Sequence, residues 1–141
     1  MKVKKVLFLC SGNSARSQMA EALVNARMGD RWMAYCAGVE AVGYVHPMAL
    51  QVLAEIGIQH EGSSKSPDAL RGLNFDMVVT VCEPAAASCP VWLRGGRVIH
   101  FPLEDPTKAQ GNEEEKMAAF RRVREKISAK LSELLAANGS E

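Results

Sequence analysis

Val3-Lys-Lys-Val-Leu-Phe-Leu-Cys-Ser-Gly-Asn-Ser-Ala-Arg16 is the stretch that decides the fold. Its first half, Val3 to Leu9, is a nearly continuous apolar run of strand length with β-branched and aromatic members. That is the pattern of a strand buried on both faces of a parallel sheet. Its second half, Cys10 to Arg16, is a loop of small and polar residues. Helical spacing follows at once, with Met19, Ala20, Leu23 and Val24 recurring at threes and fours and Gly29 expected as the C-cap.

The same alternation continues outward. Trp32 to Cys36 reads as a second strand. Pro47 opens a helix whose apolar stripe of Leu50, Val52, Leu53 and Ile56 ends at Gly57. Ser66-Pro67-Asp68 starts another short helix. Phe75 to Val81 and Arg97 to Phe101 are the third and fourth strands. A long helix begins at Glu113, with Met117, Phe120, Val123, Ile127, Leu131 and Leu134 on one stripe and Glu113 to Glu115 at the positive end of its dipole. Strands and helices alternating through short connections predict one α/β domain over residues 1–141. Its parallel sheet has four strands and helices on both faces. Ligands bind beyond the carboxyl ends of such strands, which gathers Cys10, Cys82 and the loop after Phe101 on one rim.

The 141 residues suit one domain. With 48% hydrophobic and 23% charged residues the composition excludes disorder. Seventeen Lys and Arg against sixteen Asp and Glu leave a net charge of +1, which gives no pull on nucleic acid or an anionic membrane. No apolar run approaches the ~20 residues of a membrane span. The apolar stretch after Lys5 is too short for a signal-peptide core, so a cytosolic protein is expected. Four cysteines in a reducing compartment are catalytic, redox-active or simply buried rather than structural staples.

The Cys10 to Arg16 loop carries chemistry of its own. Ser11, Gly12, Asn13, Ser14 and Ala15 are small or tolerant of left-handed backbone. Their N–H groups can therefore curl inward at a helix N-terminus and bind a tetrahedral oxyanion. Arg16 adds a planar fork. The same donors are expected to lower the pKa of Cys10 and make it a nucleophilic thiolate. The loop lacks the Gly-Lys-Ser/Thr ending of a nucleotide-binding loop. Asp105-Pro106 reads either as a turn device or as a general acid beside that site. Cys82 and Cys89 stand seven positions apart and read either as small buried residues or as a pair. If the segment between them is helical, the two ends start ~10 Å apart, so a disulfide would require it to unwind. No Cys-x2-Cys and no nearby His suggests zinc, and no metal is expected.

Leu7-Phe-Leu-Cys-Ser-Gly-Asn-Ser-Ala-Arg-Ser-Gln-Met-Ala-Glu-Ala22 resembles the signature of the low-molecular-weight tyrosine phosphatase superfamily, and most of all the arsenate reductases of that fold. The resemblance extends to Tyr35-Cys-Ala-Gly38, Val78-Val-Thr-Val-Cys82 and Glu104-Asp-Pro106. It implies that Ser17 hydrogen-bonds the Cys10 thiolate and that Asp105 is the acid, with Glu104 a neighbour that shifts it or substitutes for it. It implies a thioredoxin-coupled reductase in which Cys10 attacks arsenate, Cys82 attacks Cys10, and Cys89 attacks Cys82, with thioredoxin as partner and no organic cofactor. Phosphate or sulfate would mimic arsenate in the loop. The alternative is a phosphomonoesterase using Cys10, Arg16 and Asp105, which leaves Cys82 and Cys89 idle. A non-catalytic anion-binding module would need no Asp105. Some relatives hold a potassium ion with an Asn, a Glu, a Ser and an Asp. Asn13 and Glu21 match, but Cys36 and Lys65 stand at the other two places. The Lys65 ammonium is therefore expected in the ion's position, bonded to Asn13 or Glu21. Thr107 stands where phosphatases carry a Tyr, so an aryl phosphate is expected to lack a stacking wall. His46, His60 and His100 are expected to cap, solvate or pack.

Overall fold

The computed structural model describes residues 3–93 and 96–139. Four strands form one sheet: β1 Lys4–Cys10, β2 Trp32–Gly38, β3 Met77–Thr80 and β4 Arg97–His100. The helices are α1 Arg16–Arg27, α2 Pro47–Ala54, α3 Glu83–Ala87 and α4 Glu113–Gly139, with single 3-10 turns at Pro67–Leu70, Val91–Leu93 and Pro106–Lys108. The strand order is β2-β1-β3-β4 and every pairing is parallel.

β1 is central, and Val6 to Cys10 are all buried. Side chains alternate across a strand, so this burial means that both faces of the sheet are covered there. The chain steps from β1 to β2 on one side and then to β3 on the other. The order therefore reverses between β1 and β3, and the crevice beyond their carboxyl ends is where such sheets bind ligands. Leu9 is level with Thr80 in that pair. Cys10 and Cys82 consequently leave neighbouring strands at nearly the same height.

Element boundaries depart from the sequence reading in several places. Met28, not Gly29, caps α1, its N–H bonding the Val24 carbonyl at 2.7 Å. Gly29 is required for room, since a Cβ there would sit 2.7 Å from the Asn25 carbonyl oxygen. β2 runs on to Gly38, because its ladder with β1 continues to the Cys10–Gly38 pair. β3 is shorter than Phe75 to Val81. Asp76 turns its carboxylate and its N–H to Lys5, so the chain enters the ladder only at Met77. The stripe of α4 closes on Leu135, which is fully buried, while Leu134 is half-buried. The segment opened by Ser66 is a 3-10 turn rather than an α-helix. No helix among the described residues is long and apolar enough to cross a membrane.

Candidate active site

Outside bonds hold the loop after β1 in shape. The carbonyl of Cys10 accepts from the Val39 N–H (2.9 Å), that of Ser11 from Glu40 (2.8 Å), that of Gly12 from Val42 (3.0 Å) and that of Ser14 from His46 (2.9 Å). The Asn13 carbonyl accepts from the Gln18 side-chain amide at 3.0 Å. Five successive carbonyls therefore point outward. In a trans peptide the next N–H points the opposite way, so the N–H groups of residues 11–15 turn inward. Asn13 takes the left-handed conformation this curl needs, at φ 54°. Gly38 must be glycine, because a Cβ there would collide with the Ser11 carbonyl oxygen. Ala15 begins α1 without any side-chain cap, and the first turn of α1 carries no acidic residue. The positive end of the helix is left for an anion.

The cradle surrounds Cys10, whose Sγ accepts from the Asn13 N–H at 3.1 Å and lies 2.8 Å from Ser17 Oγ. The Lys65 N–H donates to Asn13 Oδ1 at 2.9 Å, which fixes the amide orientation. Asn13 Nδ2 then donates to Ser17 Oγ at 2.7 Å. Ser17 Oγ keeps its own proton, so against a Cys10 thiolate the Ser17 hydroxyl is the donor. Gln18 sits behind, donating to the carbonyls of Asn13 and Ser63 and accepting from His60 Nε2 at 2.7 Å. Gln18 was not singled out by sequence, since a buried Gln has no motif of its own. The expected depression of the Cys10 pKa is not met in this pocket. Burial is the largest influence and pushes the thiol up. The Ser17 hydroxyl, the N–H groups of Asn13 and Ser17, and Arg16 pull it back in that order.

Arg16 is buried, donates to the Leu103 carbonyl at 3.3 Å and faces Asp105 Oδ2 at 3.5 Å. Asp105 Oδ1 accepts from the Thr107 N–H (3.0 Å) and hydroxyl (2.6 Å), so Asp105 is both a cap for the following turn and a carboxylate in the cavity. Glu104 does not reach the site. Arg122 grips it through two bonds of 3.0 Å, which lowers its carboxyl and ties this loop to α4. The cavity, about 290 Å³, is lined by Cys10 to Arg16, Asp105 and Thr107, and also by Glu40, Val42 and Tyr44. These last three were missed, and Tyr44 corrects the expectation that the mouth lacks an aromatic wall. No motif marks them, because the loop after β2 is brought there by backbone hydrogen bonds.

Cys82 and Cys89 flank α3, both buried and both reduced, as are Cys10 and Cys36. Neither lines the Cys10 cavity. The three histidines act as expected: His46 caps α2 through Nδ1, His60 holds Gln18, and His100 bonds the Thr80 hydroxyl at 2.8 Å.

The residues beside the cradle do not fit a potassium ion. The Lys65 ammonium donates to the carbonyls of Ser63 (2.6 Å) and Cys36 (3.1 Å). Asn13 Oδ1 is already taken by the Lys65 N–H. The ammonium bonds neither Asn13 nor Glu21 directly, as the sequence had suggested. Lys65 acts on Glu21 through its field, opposing the burial that raises the Glu21 carboxyl. Cys36 packs beside both, its thiol pushed up to about 12 by burial.

Residues 5–141 match the low molecular weight phosphotyrosine protein phosphatase family. The chain is 44% identical over 132 residues to an arsenate reductase of Halalkalibacterium halodurans, covering 93% of this chain and 94% of that one. It superposes on an arsenate reductase in a phosphate-binding state with a TM-score of 0.81 and 27% identity, covering 96% of this chain and 98% of that one. A thioredoxin-dependent arsenate reductase of Corynebacterium glutamicum is similar at TM-score 0.73 and 25% identity, over 96% of this chain and 62% of that one. A thiol at the floor of an uncapped helix N-terminus, an arginine fork and an Asp-Pro turn thus occur together with a match over nearly the whole sequence, and the chain belongs to the low molecular weight phosphotyrosine protein phosphatase family.

Proposed function

We propose that the protein reduces arsenate to arsenite in the cytosol by a three-cysteine relay regenerated by thioredoxin. The observation that carries this reading is the exit of Cys10 and Cys82 from the adjacent strands β1 and β3 at nearly the same height, with Cys89 across α3. Hydrolysis of a monoester needs one thiol, whereas a reductase needs a second to remove the first. The names of the similar proteins support the same substrate.

Arsenate sits on the inward N–H groups of Ser11 to Ala15 and on Arg16. Cys10 thiolate attacks arsenic, and Asp105 protonates the oxygen that leaves as water. Cys82 thiolate then attacks the Cys10 sulfur. The sulfur–arsenic bond breaks, its electron pair stays on arsenic, and arsenite departs from a Cys10–Cys82 disulfide. Cys89 attacks Cys82 and frees Cys10. A dithiol thioredoxin reduces Cys82–Cys89, so two electrons enter for each arsenate reduced.

The test is arsenate-dependent NADPH oxidation with thioredoxin and thioredoxin reductase, run beside p-nitrophenyl phosphate hydrolysis. Tyr44 at the mouth favours a second reading, an aryl phosphomonoesterase using Cys10, Arg16 and Asp105 alone. Hydrolysis without arsenate-dependent oxidation would establish that reading instead.

A further inference from the structure

The mouth of the anion cavity carries Glu40, an exposed residue with no ion pair among the described residues. Glu40 lines it beside Val42 and Tyr44. The Glu40 N–H is held on the Ser11 carbonyl at 2.8 Å, which keeps the residue at the rim. Among the described residues its carboxylate has no ion-pair or hydrogen-bond partner. The other carboxylate of the lining, Asp105, faces the cavity's one cation, Arg16. The charged and titratable groups that line the cavity with Glu40 are Cys10 and Arg16 from the cradle, Asp105 from the loop after β4, and Tyr44 from its own loop. His46 lies next along that loop, where burial lowers its pKa and the Asp105 charge opposes this. None of these offers a second positive charge.

We propose that Glu40 is a specificity-determining residue that sorts tetrahedral anions by charge, passing monoanions and weakening dianions, phosphate monoesters included. Repulsion from a fixed charge grows in proportion to the ligand's charge, so its effect on log affinity doubles from monoanion to dianion. The inward N–H dipoles and Arg16 hold any tetrahedral oxyanion. Discrimination must come from a penalty, and an unpaired carboxylate at the entrance supplies one. For arsenate the favoured state is the singly charged one, which already carries protons on its oxygens. The inference rests on the reading of the Cys10 loop as an oxyanion site and not on arsenate reduction or thioredoxin.

The test measures how tetrahedral anions protect Cys10 from iodoacetamide at constant ionic strength, with labelling read on the Cys10 peptide. Perchlorate serves as a fixed monoanion, sulfate as a fixed dianion, and phosphate as an anion that changes charge between pH 6 and pH 8.5. Glu40→Gln should tighten perchlorate about threefold and sulfate about tenfold. Phosphate should follow perchlorate at the lower pH and sulfate at the higher, and Glu40→Asp should behave like the wild type. Equal gains for all three anions, or no gain for sulfate, would overturn the filter. If no anion protects wild-type Cys10, the oxyanion reading of the cradle fails and the filter with it. A protein that passes this test yet oxidises no NADPH with arsenate would refute only the reductase reading.

Discussion

The Asn13 side-chain amide donates to Ser17 Oγ at 2.7 Å, which leaves the Ser17 proton available to a Cys10 thiolate 2.8 Å away. The order of donors runs from the Lys65 N–H through Asn13 and Ser17 to Cys10, each bond favouring negative charge on the sulfur. Burial opposes them and is the larger influence on the thiol. Ser17→Ala should therefore raise the Cys10 pKa further and slow chemistry near neutral pH about tenfold. The pH dependence of Cys10 alkylation reads the shift. An unmoved profile would show that Ser17 does not donate to the sulfur.

The cysteines separate the steps of the relay. Cys10→Ser should abolish both arsenate reduction and any ester hydrolysis. Cys82→Ser should stop turnover with thioredoxin but leave slow hydrolysis. Cys89→Ser should allow one turnover at most and trap Cys10–Cys82, detected as a linked peptide by mass spectrometry. Normal turnover of Cys89→Ser with thioredoxin as sole reductant would refute the order proposed.

Joining Cys82 to Cys89 changes the segment between them. Cys82 is extended as it enters α3, and the thiols stand at opposite ends of that single turn. A disulfide needs Cα atoms within about 7 Å, so α3 must loosen when it forms. Hydrogen exchange should be faster from Cys82 to about Pro90 in the oxidised protein. Equal protection in the two redox forms would count against the rearrangement.

The parts of this molecule that a sequence reveals are those with a side-chain signature. β1 was legible because its part covered on both faces, Val6 to Cys10, is an unbroken apolar run, and the small residues of the Cys10 loop show how tightly the backbone curls there. Glu40, Val42 and Tyr44 were not legible. Backbone bonds from 39 to 46 onto the loop place them, and any residue type makes those bonds. The direction of the Cys10 pKa also escaped. The donors can be read from the motif, but the burial that outweighs them comes from tertiary packing around Cys10. The end of α1 was misread for a related reason, since Gly29 serves close packing rather than a left-handed turn.

Lys65 makes a prediction about salts. Its ammonium already satisfies the carbonyls of Cys36 and Ser63 and places a positive charge near Glu21. Potassium should therefore neither stabilise the protein nor raise its activity beyond the effect of equal sodium. Lys65→Ala should lower the melting temperature by several degrees and leave the burial of Glu21 less opposed, raising its carboxyl further. Lys65→Asp should restore a response to potassium. A wild-type protein that melts markedly higher in potassium than in sodium would contradict the assignment.

The link between α2 and α4 makes the stability depend on acid. Glu55, at the end of α2, accepts from Arg121 Nη2 and Arg124 Nη1 at 2.7 Å each, with Arg121 Nε at 3.1 Å from both oxygens. Hydrogen bonds from Arg121 and then Arg124 hold its carboxyl down at about 2, against an ordinary 4.5. A depressed carboxyl means that the folded state prefers the ionised form. Its contribution is complete above the ordinary value and is lost as pH falls from there towards 2. Arg124 is buried, donates to the Val52 carbonyl at 2.8 Å and pairs with Glu125 at 2.8 Å, so losing the Glu55 carboxylate removes one of its two anionic partners. Glu55→Gln should therefore melt several degrees below wild type at pH 7. The gap should close as both proteins are taken towards pH 2, where wild-type Glu55 is itself protonated. Thermal melts across that range give the difference directly, and a gap that stays constant with pH would show that the Glu55 charge does not hold the two helices together.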